Sequence, residues 1–353
     1  MKRAVHILAG ADEPHAVALQ WALTRMGMAV EFSGGLAHWH GRDVAVEIGP
    51  MHLRLRDSEN PPVSVWNRRP QAPKPKLGLP EDQAFLAGEW RSFHENLIAT
   101  ALQWAPSFWV NAPAAARNAE NKLLQLVAAR KVGLAFPETV MGNDTEAVRR
   151  LAQRGRIVFK AFRPYAWQED GGRSTVTTIL DSGNLPDAQV IELCPGIYQH
   201  YVEKVADIRV TVAGSRLLAA KLQKRSGDAY IDWRTHVFEQ DFLAEQVTLP
   251  AALEQRIHAL MASLGLVFGC LDFVIDSNGV HHFLEINQAG QFLFLEDLLP
   301  DIGILRMMAS FLAAGACEYP IIDDASLTMA EFRSSETYAA LARRLHFDEP
   351  LSA

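Results

Sequence analysis

Residues 269–296 read GCLDFVIDSNGVHHFLEINQAGQFLFLE and hold the residue types best suited to chemistry, Asp272, Glu285 and Asn287. Two runs rich in β-formers flank Asn278-Gly279, which predicts a hairpin closed by a two-residue type I′ turn. That turn sets Ser277 opposite Val280, Val274 opposite Phe283 and Asp272 opposite Glu285. Leu271, Phe273, Ile275, His282, Leu284 and Ile286 then share a core face. Asp272, Glu285 and Asn287 share the other. Directly opposed carboxylates repel. A hard divalent cation offsets that repulsion, and Mg2+ often takes one or two carboxylates together with substrate phosphates. A solvated acidic face is the alternative. Against it, the polar face is narrow and the hairpin runs into NQAGQF, a loop rather than another strand.

Basic residues precede this acidic end in a fixed order. Lys122 and Lys160 come first, Lys160 interrupting the apolar run RIVFKAF at a sheet edge or facing an anion. Gly171-Gly172-Arg173-Ser174 follows, either a loop that offers backbone N–H groups to phosphates or a plain hairpin turn. The strand YQHYV leads into Glu203. Arg209 in DIRVTV and Lys221 in RLLAAKL are charges inside a second hairpin, around Ala213-Gly214. The polar, basic stretch 224–236 contains Arg234. Cations for a triphosphate and carboxylates for Mg2+ are what phosphoryl transfer needs, because the protein's part there is positioning and charge neutralisation. The chain carries neither a Walker A motif nor a kinase-type GxGxxG.

The elements that must position these groups alternate. Residues 4–9 and 28–32 read as strands around a helix that starts near Asp12-Glu13-Pro14-His15 and ends at Gly27, a βαβ opening that implies a parallel sheet. Asp12 and His15 sit at a strand's C-terminal end, where α/β sheets often bind ligands, but read better as a helix cap and a surface histidine. Residues 39–57 read as short strands, and 63–66 as a strand followed by Asn67-Arg68-Arg69-Pro70. That arginine pair either holds a carboxylate or phosphate or forms a solvated turn. A helix over 81–103 carries Leu86, Trp90, Phe93 and Leu97 as one core stripe. Asn111-Ala112-Pro113 reads as a turn, and 114–131 as one helix closed by Gly133. A cap at Asp144 or Thr145 opens a helix to about residue 153. A helix over 251–264 precedes the acidic hairpin, and 295–299 and 302–314 are helical. Residues 316–353 read as a polar tail with one helix near 337–345.

A chain of 353 residues has room for two or three domains. A net charge of −7 argues against nucleic acid as main partner. Cys194, Cys270 and Cys317 lack metal or disulfide spacing. No long apolar run or signal-peptide pattern is present, so a cytoplasmic protein without a membrane partner is expected.

The ordered set resembles the ATP-grasp superfamily, in the branch that includes ribosomal protein S6 glutamate ligase and glutathione synthetase. YQHYVEKVADIRVTVAG and LDFVIDSNGVHHFLEIN carry that resemblance, over residues 110–312. Within the branch, VWNRRP, NAENKLLQLVAARKVGLAFPETVMGND, IDWR and LEINQAGQFLFLE are similar to ligases that crosslink ribosomally made peptides of the microviridin type. The resemblance implies an α/β (α+β) ATP-grasp fold with an N-terminal pre-grasp domain over 1–112, a central subdomain over 113–195, a C-terminal grasp subdomain over 196–315 and a tail over 316–353. ATP would lie between two antiparallel sheets, covered by the loop near Gly171-Gly172. Lys122 and Lys160 would contact phosphates. Gln199, Tyr201 and Val202 would lie along the adenine, and Glu203 would accept from the ribose. Asp272, Glu285 and Asn287 would hold Mg2+. Arg209, Lys221 and Arg234 would stabilise the γ-phosphate and an acyl phosphate. The implied reaction is ADP-forming ester or amide crosslinking of a precursor peptide bound through a leader segment, by a homodimer. The alternatives are a ligase joining free amino acids or extending a small molecule or protein tail, and a non-catalytic nucleotide-binding module.

Overall fold

The computed structural model describes residues 4–34, 45–49, 52–55, 62–70, 79–104, 107–162, 166–167, 173–174 and 177–345. The N-terminal part is a parallel sheet of four strands in the order Ala29–Ser33, Ala4–Leu8, Ser64–Asn67, Phe108–Val110. Helix Pro14–Arg25 forms the expected βαβ crossover. Its cap is Glu13, whose carboxylate accepts from the Ala16 N–H at 2.7 Å, and not Asp12. Helix Gln83–Trp104 covers one face of the sheet, with Leu97 buried and Trp90 and Phe93 packed against Leu8, Val65 and Trp109.

A second sheet is antiparallel, in the order Thr178–Leu180, Ile157–Lys160, Gly196–His200, Thr139–Gly142. Helix Thr145–Ala152 backs it, capped by Asp144, which accepts from Glu146 and Ala147 N–H at 2.9 and 3.0 Å. The single helix expected over 114–131 is two helices, Pro113–Ala119 and Lys122–Lys131. The Asn121 side chain accepts from the Leu124 N–H at 3.0 Å, a cap that starts the second helix at Lys122. An asparagine's capping ability stops one helix and starts another where apolar periodicity alone reads through.

The third sheet has five antiparallel strands, in the order Phe242–Val247, Arg216–Lys224, Lys204–Ala213, Phe268–Asp276, His281–Asn287. One face carries Ile208, Val210, Val212, Leu271, Phe273, Phe283 and Ile286. These pack against helix Ala251–Ser263 and helix Lys122–Lys131 through Ile257, Leu260, Met261 and Leu126. The acidic groups lie on the other face.

The expected tail is instead part of the main core. Tyr319, Leu327, Met329, Phe332 and Leu341 are buried with Trp21, Leu19 and Phe311, and helices Met329–Arg333 and Glu336–Leu345 lie against Pro14–Arg25. The buried Glu296 carboxylate accepts from Leu305 and Met329 N–H at 2.8 and 2.9 Å, tying the segment to helices Phe294–Leu298 and Ile304–Ala314. Its apolar residues are sparse but periodic, so average polarity conceals a helix face that packs.

Candidate active site

The acidic hairpin forms, with a different turn. Asp276 N donates to Val280 O at 3.1 Å and Gly279 N to Asp276 O at 3.0 Å, enclosing a three-residue loop, Ser277 to Gly279, with only Gly279 at positive φ (79°). Asp276 Oδ1 accepts from Asn278 and Val280 N–H, both at 2.9 Å, which favours the longer loop. The extra loop residue shifts the pairing, so Phe273 faces Phe283 and Val274 faces His282. A bulge between Asp272 and Phe273 then restores the register, and Asp272 does face Glu285. Phe283 therefore takes the core position expected for Leu284 and His282. Leu284 turns to the opposite face and lines the cleft.

That cleft, about 820 Å³, lies between the four-stranded and five-stranded antiparallel sheets. Lys160, Phe162 and Thr177 line one side, Asp207, Asp272, Leu284, Glu285 and Asn287 the other, and Lys122 and the segment Ala229 to His236 the ends. Lys122 contacts Glu285, and Arg234 Nη2 donates to Glu285 at 3.1 Å and lies 3.7 Å from Asp272. Arg209, buried beneath the cleft floor, donates to Asp272 at 2.7 Å and to the Gln291 carbonyl at 2.6 Å. Burial alone would raise the Glu285 pKa, but Lys122 and Arg234 hold it at about 2. Asn287 Nδ2 lies 3.5 Å from Asp272 and 3.3 Å from Glu285, so the three side chains converge.

Lys160 faces them across the cleft. Among the described residues its hydrogen-bond partner is the Gln199 amide oxygen, at 3.1 Å. Burial pushes its ammonium below the ordinary lysine pKa. Gln199, Tyr201, Val202, Lys160, Val274 and Leu284 line a smaller, largely apolar recess that adjoins the cleft. Glu203 is exposed beyond the recess and pairs with Arg156. The Gly171-Gly172 loop lies outside the described residues.

Lys221 is not brought to the site. It pairs with Ile208 and Glu245, whereas Arg209 pairs with Ala220 and Asp272, and strand alternation puts Lys221 and Arg209 on opposite sheet faces. A lysine in a β run shows a charge but not its face until the neighbouring register is known.

Several site-forming residues escaped the sequence reading. Lys204 donates to Asp207 at 2.7 Å and to the Ile231 carbonyl at 2.9 Å, and lies 4.1 Å from the Tyr230 ring centroid, fastening the segment that carries Arg234 to the sheet. Asn111 is no simple turn residue: its Oδ1 accepts from Val267 and Phe268 N–H at 2.9 Å each. His15 is buried, not on the surface, and its Nε2 accepts from Phe292 N–H at 3.1 Å. Burial lowers its pKa to about 4, which keeps the ring neutral and able to accept. Arg68, by contrast, follows one of its two sequence readings: it is fully buried and holds a carboxylate, that of Glu13, rather than forming a solvated turn.

No family model matches the chain, and no curated protein matches it. Solved structures do. An ATP-grasp ligase of Chryseobacterium gregarium, RiPP-associated and in complex with ADP and a leader and core peptide, matches with a TM-score of 0.72 at 20% identity, over 91% of this chain and 100% of the other. The macrocyclase MdnC of Microcystis aeruginosa MRC, bound with precursor peptide MdnA, matches at TM-score 0.68 and 23% identity, over 88% and 98%. The ATP-grasp ligase PsnB, complexed with a phosphomimetic variant of a minimal precursor, Mg and ADP, matches at 0.67 and 20%, over 89% and 98%. The chain has the ATP-grasp fold.

Proposed function

We propose that the protein is an ADP-forming ATP-grasp ligase that makes ester or amide crosslinks in a ribosomally made precursor peptide. The observation that carries this reading is the convergence of Asp272, Glu285 and Asn287 with Lys122 and Arg234, opposite Lys160, in a cleft between two antiparallel sheets. Three solved structures of the same fold are named as ATP-grasp ligases or a macrocyclase, bound with a precursor or with a leader and core peptide.

The donor set suits Mg2+. Asp272 and Glu285 oxygens lie around one point, and the Asn287 amide, turned over, adds a third oxygen there. Two carboxylates leave coordination positions for nucleotide phosphates, and the bound ion would neutralise phosphate charge. The recess of Gln199, Tyr201, Val202, Val274 and Leu284 offers apolar walls and backbone groups to an adenine. Lys122, Lys160 and Arg234 bind the phosphates. A peptide carboxylate oxygen attacks the γ-phosphorus, the bond to the β,γ-bridging oxygen breaks, and ADP leaves. A hydroxyl or amine then attacks the acyl carbon, loses its proton and displaces phosphate. Arg234, beside Glu285 and Asp272, bears the charge developing in both steps, and Arg209 holds Asp272 from below. Lys221 has no part. Glu203, which follows Val202 and pairs with Arg156 in the nucleotide-free protein, accepts from the ribose hydroxyls.

ADP release measured with Mg-ATP and candidate precursor peptides, with mass spectrometry of the peptide, tests the reading. Release coupled to loss of one water per bond is expected. Release only with free amino acids would move the chain to small-molecule ligation, and nucleotide binding without release would leave a binding module. A docked leader segment, a homodimer and a cytoplasmic location belong to the same reading; light scattering tests the dimer. No helix among the described residues is long and apolar enough to cross a membrane.

A further inference from the structure

The VWNRRP stretch and the start of the first helix have no task in the ligase reading, yet they meet at the loop that leaves the acidic strand. Arg68 Nη2 and Nε donate to Glu13 Oε1 at 3.0 and 3.3 Å. Its Nη1 donates to the carbonyls of Ala289 and Gly290, at 2.5 and 2.8 Å. The next carbonyl, Gln291, accepts from Arg209, which in turn donates to Asp272. On the flanks, Asn111 Nδ2 donates to Gln288 O at 3.1 Å, and His15 Nε2 accepts from Phe292 and Leu293 N–H at 3.1 and 3.4 Å. A side chain from outside the loop thus holds a backbone group of each residue from 288 to 293. Gly290 is pressed so close that a Cβ would stand 2.6 Å from Cys270 Cβ and 3.1 Å from Arg209 Nη2.

We propose that Arg68 is a positioning residue for the ligase site: it fixes the 288–293 loop so that Gln291 orients Arg209, and Arg209 orients the Asp272 carboxylate. The inference rests on the ligase reading for its catalytic consequence. A contact needed only to join two units is made as well by apolar side chains, since a buried ion pair gains little over them. What a buried guanidinium adds is geometry: a rigid fork that binds a carboxylate on one side and two successive carbonyls on the other. Lysine has the charge without the fork.

The test compares the full-length parent with Arg68→Lys, with Gly290→Ala as a second variant that disturbs the same loop without removing a charge. Three quantities are measured: the thermal midpoint, the affinity for a fluorescent ATP analogue across a Mg2+ titration, and kcat and KM for precursor-dependent ADP release. Both variants should fold. Their half-saturating Mg2+ concentration should rise roughly tenfold, and kcat should fall roughly 10- to 100-fold with KM for peptide unchanged, the size typical of losing a group that orients a metal ligand. A lowered midpoint with unchanged Mg2+ dependence and kcat would overturn the proposal and leave Arg68 a structural tie. Should the parent bind Mg-nucleotide but release no ADP with any peptide, the ligase reading fails, and the Mg2+ titration still decides the role of Arg68. Should Arg68→Lys not fold, Glu13→Gln, which removes the carboxylate that holds the Arg68 fork, carries the same comparison.

Discussion

The two walls of the cleft handle charge in opposite ways. On the five-stranded sheet the two cleft carboxylates are compensated: Asp272 by Arg209, and Glu285 by Arg234 and Lys122. On the four-stranded sheet Lys160 is half-buried against a neutral amide, with its pKa lowered by desolvation. The first wall is a closed network whose members depend on one another. The second holds a cation at a cost in stability, to be relieved by an incoming anion. Stability and binding should therefore respond with the same sign on one wall and with opposite signs on the other.

The largest effect is expected from Arg209→Met, which leaves the buried Asp272 with only the more distant Arg234, 3.7 Å away. Unfolding free energy should drop by about 3–5 kcal/mol in urea titrations, and a loss below 1 kcal/mol would show that the network is not closed. Glu285→Gln should keep the fold, because Lys122 and Arg234 reach solvent, with side chains 26% and 54% exposed. Its precursor-dependent ADP release should fall by roughly 10²–10³-fold; parent-like release would remove Glu285 from the chemistry. Lys160→Met sharpens the contrast. Nucleotide affinity should weaken roughly tenfold, the loss of one charge-assisted contact, while the thermal midpoint of the nucleotide-free protein rises. A fall in both would place Lys160 in a structural role.

The pH dependence follows the same division. Glu285 has a folded pKa of about 2 against an ordinary 4.5, so it contributes stability above pH 4.5 that is lost as pH falls toward 2. Glu285→Gln should flatten that acid limb. Lys160 has the opposite sign: its depressed pKa costs stability at neutral pH, and the cost fades as pH rises through the folded pKa toward 10.5. The smallest effects belong to the hairpin tip. Gly279→Ala should cost about 1 kcal/mol, since φ is 79° there. Asn278→Ala should change stability by under about 0.5 kcal/mol. A two-residue type I′ turn would penalise both.

Much of the site was legible in the sequence because it lies on strands. Alternation puts Asp272, Glu285 and Asn287 on one face once a turn is located, and the Asn-Gly pair located it. The pairing near the tip was read wrongly and the pairing at the carboxylates correctly, because the bulge at Leu284 cancels the longer loop. The Asp144 cap and Gly133 ending were read from local chemistry and found as such. Lys221 failed for want of a neighbour: its face depends on a register that its own strand does not encode.

What the sequence determined by itself was local: the order of most strands and helices, the Asp144 cap, the acidic hairpin and the lysines and arginine that face it, Lys122, Lys160 and Arg234. These follow from backbone sterics, side-chain periodicity and capping, which act over a few residues. The tertiary structure decided which charges meet. Arg68, His15 and Asn111 are separated from the 288–293 loop by more than a hundred residues of chain, and each became part of the site by being buried against it. A buried polar group must find a partner wherever the fold supplies one, and that partner is set by packing, not by proximity in sequence.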